Sequence, residues 1–240
     1  MKIYIPTSNN SIYIVETLLF SLKKYWPNYK NYKIIILGYN EPKYSFDSNV
    51  SFHKLNDKDP IENWAIDLKT YFETIKDEYF IYMNDDCPLS RNVDGDLLNF
   101  FKHTISSNKN TKIGRICLTK DISKNQKHFL VEDYGNFQLI ESHQNAQYRT
   151  SVQFSIWNTE YFLKYLKPNL TPWEYEGLSD PLNDGWRILG THTKYCLDFY
   201  HLKRKGDIIP SDWNISCYER KNMQETPEDF NFIKNVINKK

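Results

Sequence analysis

Glycine is scarce, at eight residues in 240, and none of it forms a glycine-rich loop near the N-terminus of the kind that cradles nucleotide phosphates. Cysteine is scarcer still. Cys87, Cys117, Cys196 and Cys217 lie far apart without a C-x-x-C pair, which argues against a zinc cluster or a disulfide framework and for a reducing compartment. Cys117 and Cys196 sit within apolar runs, as buried free thiols do. No stretch approaches the roughly 18 consecutive apolar residues of a membrane span, and the apolar part of the segment from Met1 to Pro6 is too short for a signal peptide. A cytosolic protein is expected. Neither sign of charge is in excess: 31 Lys and Arg face 30 Asp and Glu, a net charge of +1. A dedicated nucleic-acid binder would carry a strong basic excess, so only a local basic patch is left open. Internal repeats and low-complexity linkers are absent as well, which favours one domain over residues 1–240.

What is present is core-forming material. Hydrophobic residues make up 40% of the chain and aromatics 16%, enough to fill the interior of one large α/β domain. Only the last residues, 237–240, read as frayed. Over about residues 1–120, short apolar runs alternate with helical patterns, the signature of a parallel sheet covered by helices. The expected strands are 2–5, 33–37 (closed by Gly38), 50–55 and 78–83. The expected helices are 11–25, with Ile12, Val15, Leu18, Leu19 and Leu22 on one face, and one opened by Pro60 whose stripe is Ile61, Trp64, Leu68, Phe72 and Ile75. The natural reading is a Rossmann-like nucleotide-binding half with a mostly parallel sheet. Residues 121–240 are less regular. A helix is expected at 97–105, strands at 113–118, 152–157 and 194–199, a hairpin or long loop over 121–147, and a helix over 158–166 capped by Asn158 or Thr159. Thr171-Pro172-Trp173-Glu174 has the form of a capping box with proline at the first helical position. A closing helix over 226–238 carries the same box in Thr226 and Asp229.

The strand at 78–83 is apolar almost throughout, like strands buried on both faces, and it runs straight into Asn84-Asp85-Asp86-Cys87-Pro88. Open α/β sheets bind ligands beyond the carboxyl ends of their strands. Two adjacent acids there repel each other unless compensated, and a divalent cation compensates them. Mg²⁺ or Mn²⁺ takes one or two carboxylates together with phosphate oxygens of a substrate. A solvated turn before Pro88, where Asn and Asp are common, is the plainer alternative.

With its acids at that place, the chain resembles the GT-A glycosyltransferases, whose DxD motif ends a buried strand of a Rossmann-like half. The resemblance covers most of the chain as a layout, on short motifs. It implies that Asp86 is the metal ligand and that Asp85 turns toward the sugar nucleotide. Asn84 stands where the first acid of the motif would be, which leaves the ribose contact open. The same layout implies a base and ribose site at Pro6, Thr7 and Asn9, with a helix N-cap by Ser8, Asn9 or Asn10 as the structural alternative. Trp64 is then either a core residue or a base-stacking one. On the acceptor side, the layout places residues 153–157 and 171–176. Glu174 is the capping acid, Glu176 the catalytic base with Asp180 in reserve, and Trp173 an acceptor contact. After the last strand comes Tyr200-His201-Leu202-Lys203-Arg204-Lys205-Gly206. There the resemblance implies His201 on the metal and Lys203 and Arg204 on the diphosphate, against a plain surface turn.

The function so implied is metal-dependent transfer of a sugar, with inversion, from a nucleoside-diphosphate sugar to a hydroxyl of a glycan or other acceptor. UDP is the expected nucleotide and Mn²⁺ or Mg²⁺ the expected cofactor. Modified DNA as acceptor is opposed by the near-zero charge and kept open by Lys203-Arg204-Lys205. Two other readings stand beside it: nucleotidyl transfer, which the missing glycine-rich loop weakens, and a non-catalytic module binding carbohydrate or nucleic acid through its aromatics.

Overall fold

Strand β1 (Ile3–Pro6) is buried along its whole length, and its alternating side chains divide the interior in two. Ile3 and Ile5 join an apolar layer with Val15, Leu18 and Leu22 of helix α1 (Val15–Tyr25) and Leu97, Leu98 and Phe101 of α3 (Gly95–Ser107). Tyr4 points the other way. It packs with Leu68 and Phe72 of α2 (Trp64–Phe72) and, through Phe80, with Phe162 of α5 (Thr159–Tyr165). Each large side chain so buried contributes about 1.5–3 kcal/mol, and the two layers hold the sheet between them. The computed structural model describes residues 1–59, 61–107, 111–204, 207–208 and 227–238.

The sheet has nine strands in the order β3-β2-β1-β4-β8-β5-β9-β7-β6. Its first half is parallel: β1 lies between β2 (Ile34–Gly38) and β4 (Tyr79–Tyr82), and β3 (Val50–Lys54) flanks β2. Its second half is mixed. Strand β8 (Ser155–Asn158) runs antiparallel between β4 and β5 (Ile113–Cys117), and β9 (Arg187–His192) runs parallel to β5. The hairpin of β6 (His128–Asp133) and β7 (Gln138–Ser142) completes the edge. This is the expected α/β architecture of a central sheet flanked by helices. The hairpin expected within 121–147 is present, preceded by a short helix α4 (Asp121–Asn125). Among the described residues no helix is long and apolar enough to cross a membrane.

Several expectations give way to local physics. Helix α1 starts at Val15, not Ser11, because residues 8–14 wind into turns in which Ile12 and Ser11 both donate to the Ser8 carbonyl. Its N-cap is Ile14 without a side-chain bond, so neither Ser8, Asn9 nor Asn10 caps it. Ile61 lies in a 3₁₀ turn and is 49% exposed, outside the apolar stripe assigned to it. Strand β8 begins only at Ser155; the N–H of Val152 goes to Glu176 instead of to a neighbouring strand. The strand expected at 194–199 is not formed, and β9 is found just before it. Thr193 takes a left-handed φ of 73° that turns the chain out of the sheet, while the buried Leu197 donates to the Leu118 carbonyl. Gly190 interrupts β9's apolar pattern, and it is there because a Cβ would lie 3.0 Å from Ile122 Cδ1. Asn158 caps α5 as expected, accepting from the Tyr161 N–H. In the closing helix α7 (Pro227–Ile237), Asp229 accepts from Tyr25 Oη at 2.6 Å and Lys24 Nζ at 2.7 Å, docking it on α1; Thr226 and Pro60 lie outside the described residues.

Candidate active site

Because β1 and β4 are parallel neighbours, their carboxyl ends emerge side by side. Thr7 follows β1 and donates from Oγ1 to Asp85 Oδ2 at 2.7 Å. That bond joins the expected nucleotide-side segment to the acidic turn. Asp85 and Asp86 occupy a turn after β4, where Asp85 meets Thr7 and Asp86 meets Cys87. Asn84 Oδ1 is buried and has no hydrogen-bond partner, an acceptor in want of a cation or a donor.

The late segment reaches this turn through main-chain pairing. Ser90 N–H donates to the Asp198 carbonyl, Tyr200 N–H to Pro88 and Leu202 N–H to Asp86, at 2.9–3.0 Å, and Leu89 bridges Phe199 antiparallel. His201 is thereby set beside Asp86. Between them lies Cys87, whose thiol is 3.3 Å from Asp86 Oδ1 and 3.5 Å from His201 Nδ1. One ligating atom from each of the three residues falls within 4.8 Å of the others. The Phe199 ring meets the imidazole edge-on at 5.0 Å and steadies it. Burial pushes the His201 pKa down, with Asp86 opposing, which favours the neutral ligating form. An oxygen, a sulfur and an imidazole nitrogen that converge in this way fit a divalent cation.

Helix α6 (Pro172–Glu176) carries the acceptor-side acids. Its N-terminus is the expected capping box: Thr171 Oγ1 accepts from the Glu174 N–H, and Glu174 Oε2 accepts from the Thr171 N–H at 2.8 Å. Glu176, at the other end, turns inward and accepts from Val152 N–H at 2.9 Å and Ser151 Oγ at 3.3 Å. Burial pushes its carboxyl above the ordinary range, with the Val152 N–H opposing and Asp121 adding to the rise. The buried Tyr82 hydroxyl is raised by desolvation and then by Asp85, Glu176 and Asp86. The three carboxylates therefore act on one phenol at the end of β4. Trp173 is 61% exposed on α6, and Asp180 pairs with Lys167 at the surface.

On the nucleotide side, Asn9 N–H donates to Asp59 Oδ2 at 2.5 Å, and Asn9 Oδ1 accepts from Asn40 N–H at 3.0 Å. Trp64 is half-buried and meets Tyr175 edge-on at 5.6 Å. Pro6 is buried in β1. Lys203 and Arg204 form the two-residue strand β10, paired antiparallel with β11 (Asp207–Ile208). Lys205 and Gly206 lie outside the described residues.

No protein-family model matches the sequence, and no curated protein matches it. Among solved structures, the chain superposes on TarS 1–349 from S. aureus in complex with UDP with a TM-score of 0.50 at 14% identity. That match covers 99% of this chain and 64% of TarS 1–349, so the chain spans a little under two thirds of that protein's length. The fold is GT-A-like. Within it, two weaker likenesses are the galactosyltransferase LgtC in complex with donor and acceptor sugar analogues (TM-score 0.40, 9% identity, 68% of this chain and 60% of that one) and a cytidylyltransferase from Leptospira borgpetersenii (0.41, 15%, 73% and 67%).

Two residues of this candidate site are not apparent from sequence. Cys87 counts there only as one of four scattered cysteines, yet it stands between Asp86 and His201; its adjacency to Asp86 is the available signal. Asp59 precedes a proline in a polar stretch, and only the structure shows it holding Asn9.

Proposed function

We propose that the chain is a metal-dependent glycosyltransferase that moves a sugar from a nucleoside-diphosphate sugar to an acceptor hydroxyl. The observation that carries the proposal is the meeting of Asp86 and His201, 115 positions apart in sequence, at the carboxyl end of β4 in a GT-A-like sheet. The UDP present in the TarS structure supports a UDP-sugar as donor. Among the described residues no disulfide joins Cys87, Cys117 or Cys196, and we read the chain as a cytoplasmic enzyme.

Asp86 and His201 would hold the cation, which supplies charge neutralisation for the departing diphosphate; Mn²⁺ or Mg²⁺ is the cofactor on this reading. Asp85, fixed by Thr7, orients the sugar nucleotide. Thr7 and Asn9 line the base and ribose side, Trp64 is the stacking candidate, and Lys203 and Arg204 add positive charge for the phosphates. Glu176 accepts the proton of the acceptor hydroxyl at its free oxygen while the acceptor oxygen bonds the anomeric carbon and the sugar–diphosphate bond breaks. A carboxylate whose pKa is raised by burial is a better base than an exposed one. Attack from the face opposite the leaving group gives inversion, with the exposed Trp173 as acceptor platform and Asp180 as the neighbouring acid.

A thermal-shift panel of nucleoside diphosphates with and without Mn²⁺ tests the donor side, and the anomeric configuration of the transfer or hydrolysis product tests the chemistry. Mn²⁺-dependent stabilisation by UDP with turnover of a UDP-sugar is the expected result. Carbohydrate binding without metal-dependent turnover would instead mark a non-catalytic module.

A further inference from the structure

Cys87 is buried and packs within the layer that contains Met83 and Leu89, so a small apolar filler is the first account of it. Its surroundings do not fit that account. A filler has no need of a carboxylate oxygen at 3.3 Å and an imidazole nitrogen at 3.5 Å on the same sulfur. Cys117, by comparison, directs its thiol at the Thr119 main chain at 3.3 Å. Among the described residues, Asp86, Cys87 and His201 are the one set of three whose ligating atoms converge.

The ligand types discriminate between metals: thiolate and imidazole suit zinc or cobalt, and magnesium takes oxygen. A tetrahedral zinc site, with bonds of about 2.3 Å to sulfur and about 2.0–2.1 Å to nitrogen or oxygen, has sulfur–nitrogen and sulfur–oxygen edges of about 3.5–3.6 Å. An octahedral magnesium site with bonds of about 2.0–2.1 Å has adjacent edges of about 2.9 Å and takes oxygen throughout. The observed 3.3 and 3.5 Å to sulfur are within a few tenths of an ångström of the first. Three protein ligands would leave the fourth tetrahedral position to a substrate oxygen.

We propose that Cys87 is a metal ligand alongside Asp86 and His201, and that this site takes a borderline-soft dication of the zinc or cobalt class in preference to magnesium. The inference rests on the reading of Asp86 and His201 as metal ligands above, adds Cys87 to them, and puts a softer dication in place of the Mg²⁺ named there. On binding, the sulfur–metal bond replaces the thiol S–H, whose proton passes to solvent.

Co²⁺ titration of the metal-free full-length protein tests it. The expected result is a near-ultraviolet sulfur-to-cobalt charge-transfer band with visible tetrahedral bands, discharged by one equivalent of Zn²⁺ and untouched by a large excess of Mg²⁺. Cys87→Ser should remove the sulfur band, while Cys217→Ser retains it. Loss of a direct ligand should weaken Zn²⁺ binding at least as much as the about 10–100-fold that follows loss of an outer-shell partner. X-ray absorption on the wild-type zinc form gives a check that needs no variant: one sulfur at about 2.3 Å. If Co²⁺ binds without a sulfur band, or the band survives Cys87→Ser, the thiolate assignment is overturned and the Asp86–His201 site stands. If the protein binds neither Co²⁺, Zn²⁺ nor Mn²⁺, with or without UDP, the metal reading itself falls.

Discussion

Replacing Glu176 by Gln removes one capability and keeps the rest. The amide oxygen can still accept from the Val152 N–H and Ser151 hydroxyl that now bind Oε1, so the segment entering β8 should hold its place. What is lost is proton acceptance. General-base catalysis contributes about 10²–10⁴-fold, equal to about 2.7–5.5 kcal/mol of barrier. Turnover should fall by that factor while UDP and metal affinities stay within about twofold, since nothing the donor touches has been changed. The pH profiles should also part. Because the Glu176 carboxyl is raised by burial, wild-type turnover should climb through a pKa above the ordinary glutamate value of about 4.3, and the Gln variant should lack that limb. Stability responds to the same burial. A carboxyl raised in the folded state costs stability once it ionises, so Glu176→Gln should melt no lower than wild type at neutral pH. Any advantage should vanish below the unfolded-state pKa. Steady-state transfer assays across pH and melting curves at two pH values read all of this. If Glu174→Gln abolished transfer while Glu176→Gln spared it, the two acids would have been assigned the wrong way round. If neither mattered, Asp180 or a retaining reaction without such a base would take its place.

Other perturbations probe the remaining parts. Asp86→Ala should abolish Mn²⁺-dependent UDP binding in calorimetry with the melting temperature nearly unchanged, because the acid lies on a turn outside the core; binding that persists with metal dependence intact refutes it as a ligand. Lys203→Ala and Arg204→Ala should each weaken UDP more than uridine, and equal losses for both would make the segment a surface turn only. Gly114→Ala should cost about 1–3 kcal/mol by overpacking, since the new Cβ would lie 2.6 Å from Cγ of the buried Tyr161 ring; a chemical denaturation midpoint equal to wild type would show that the ring yields. Thr7→Val should release Asp85 and weaken nucleotide-sugar binding several-fold, with Thr7→Ser restoring it, because hydroxyl loss matters here and side-chain volume does not.

The parallel half of the sheet was legible because β1, β2 and β4 are short apolar runs buried almost throughout and its helices show apolar faces at the right period. The acidic turn after β4 and the capping box of Thr171 and Glu174 were legible because their chemistry is local. What escaped depends on distant pieces of chain. Strand β9 is broken in sequence by Gly190, whose reason is a side chain nearly seventy positions earlier, Ile122. Within 194–199 Cys196 and Leu197 are buried, with the Leu197 N–H on the Leu118 carbonyl, and burial alone does not distinguish a strand from a packed irregular segment. Glu176 and Val152 explain each other only in three dimensions. Cys87 looked like any isolated cysteine until the main chain brought His201 to it.

The pairing of residues 198–202 with 86–90 has a consequence for how this protein can vary. A segment with the outward look of a loop is usually free to lengthen or shorten, yet here the imidazole's position is set by main-chain bonds on both sides of it. A single inserted or deleted residue between Thr193 and Phe199 would offer Tyr200 or Leu202 where His201 now stands. Natural or engineered relatives of this chain can therefore change the letters of that stretch far more readily than its length.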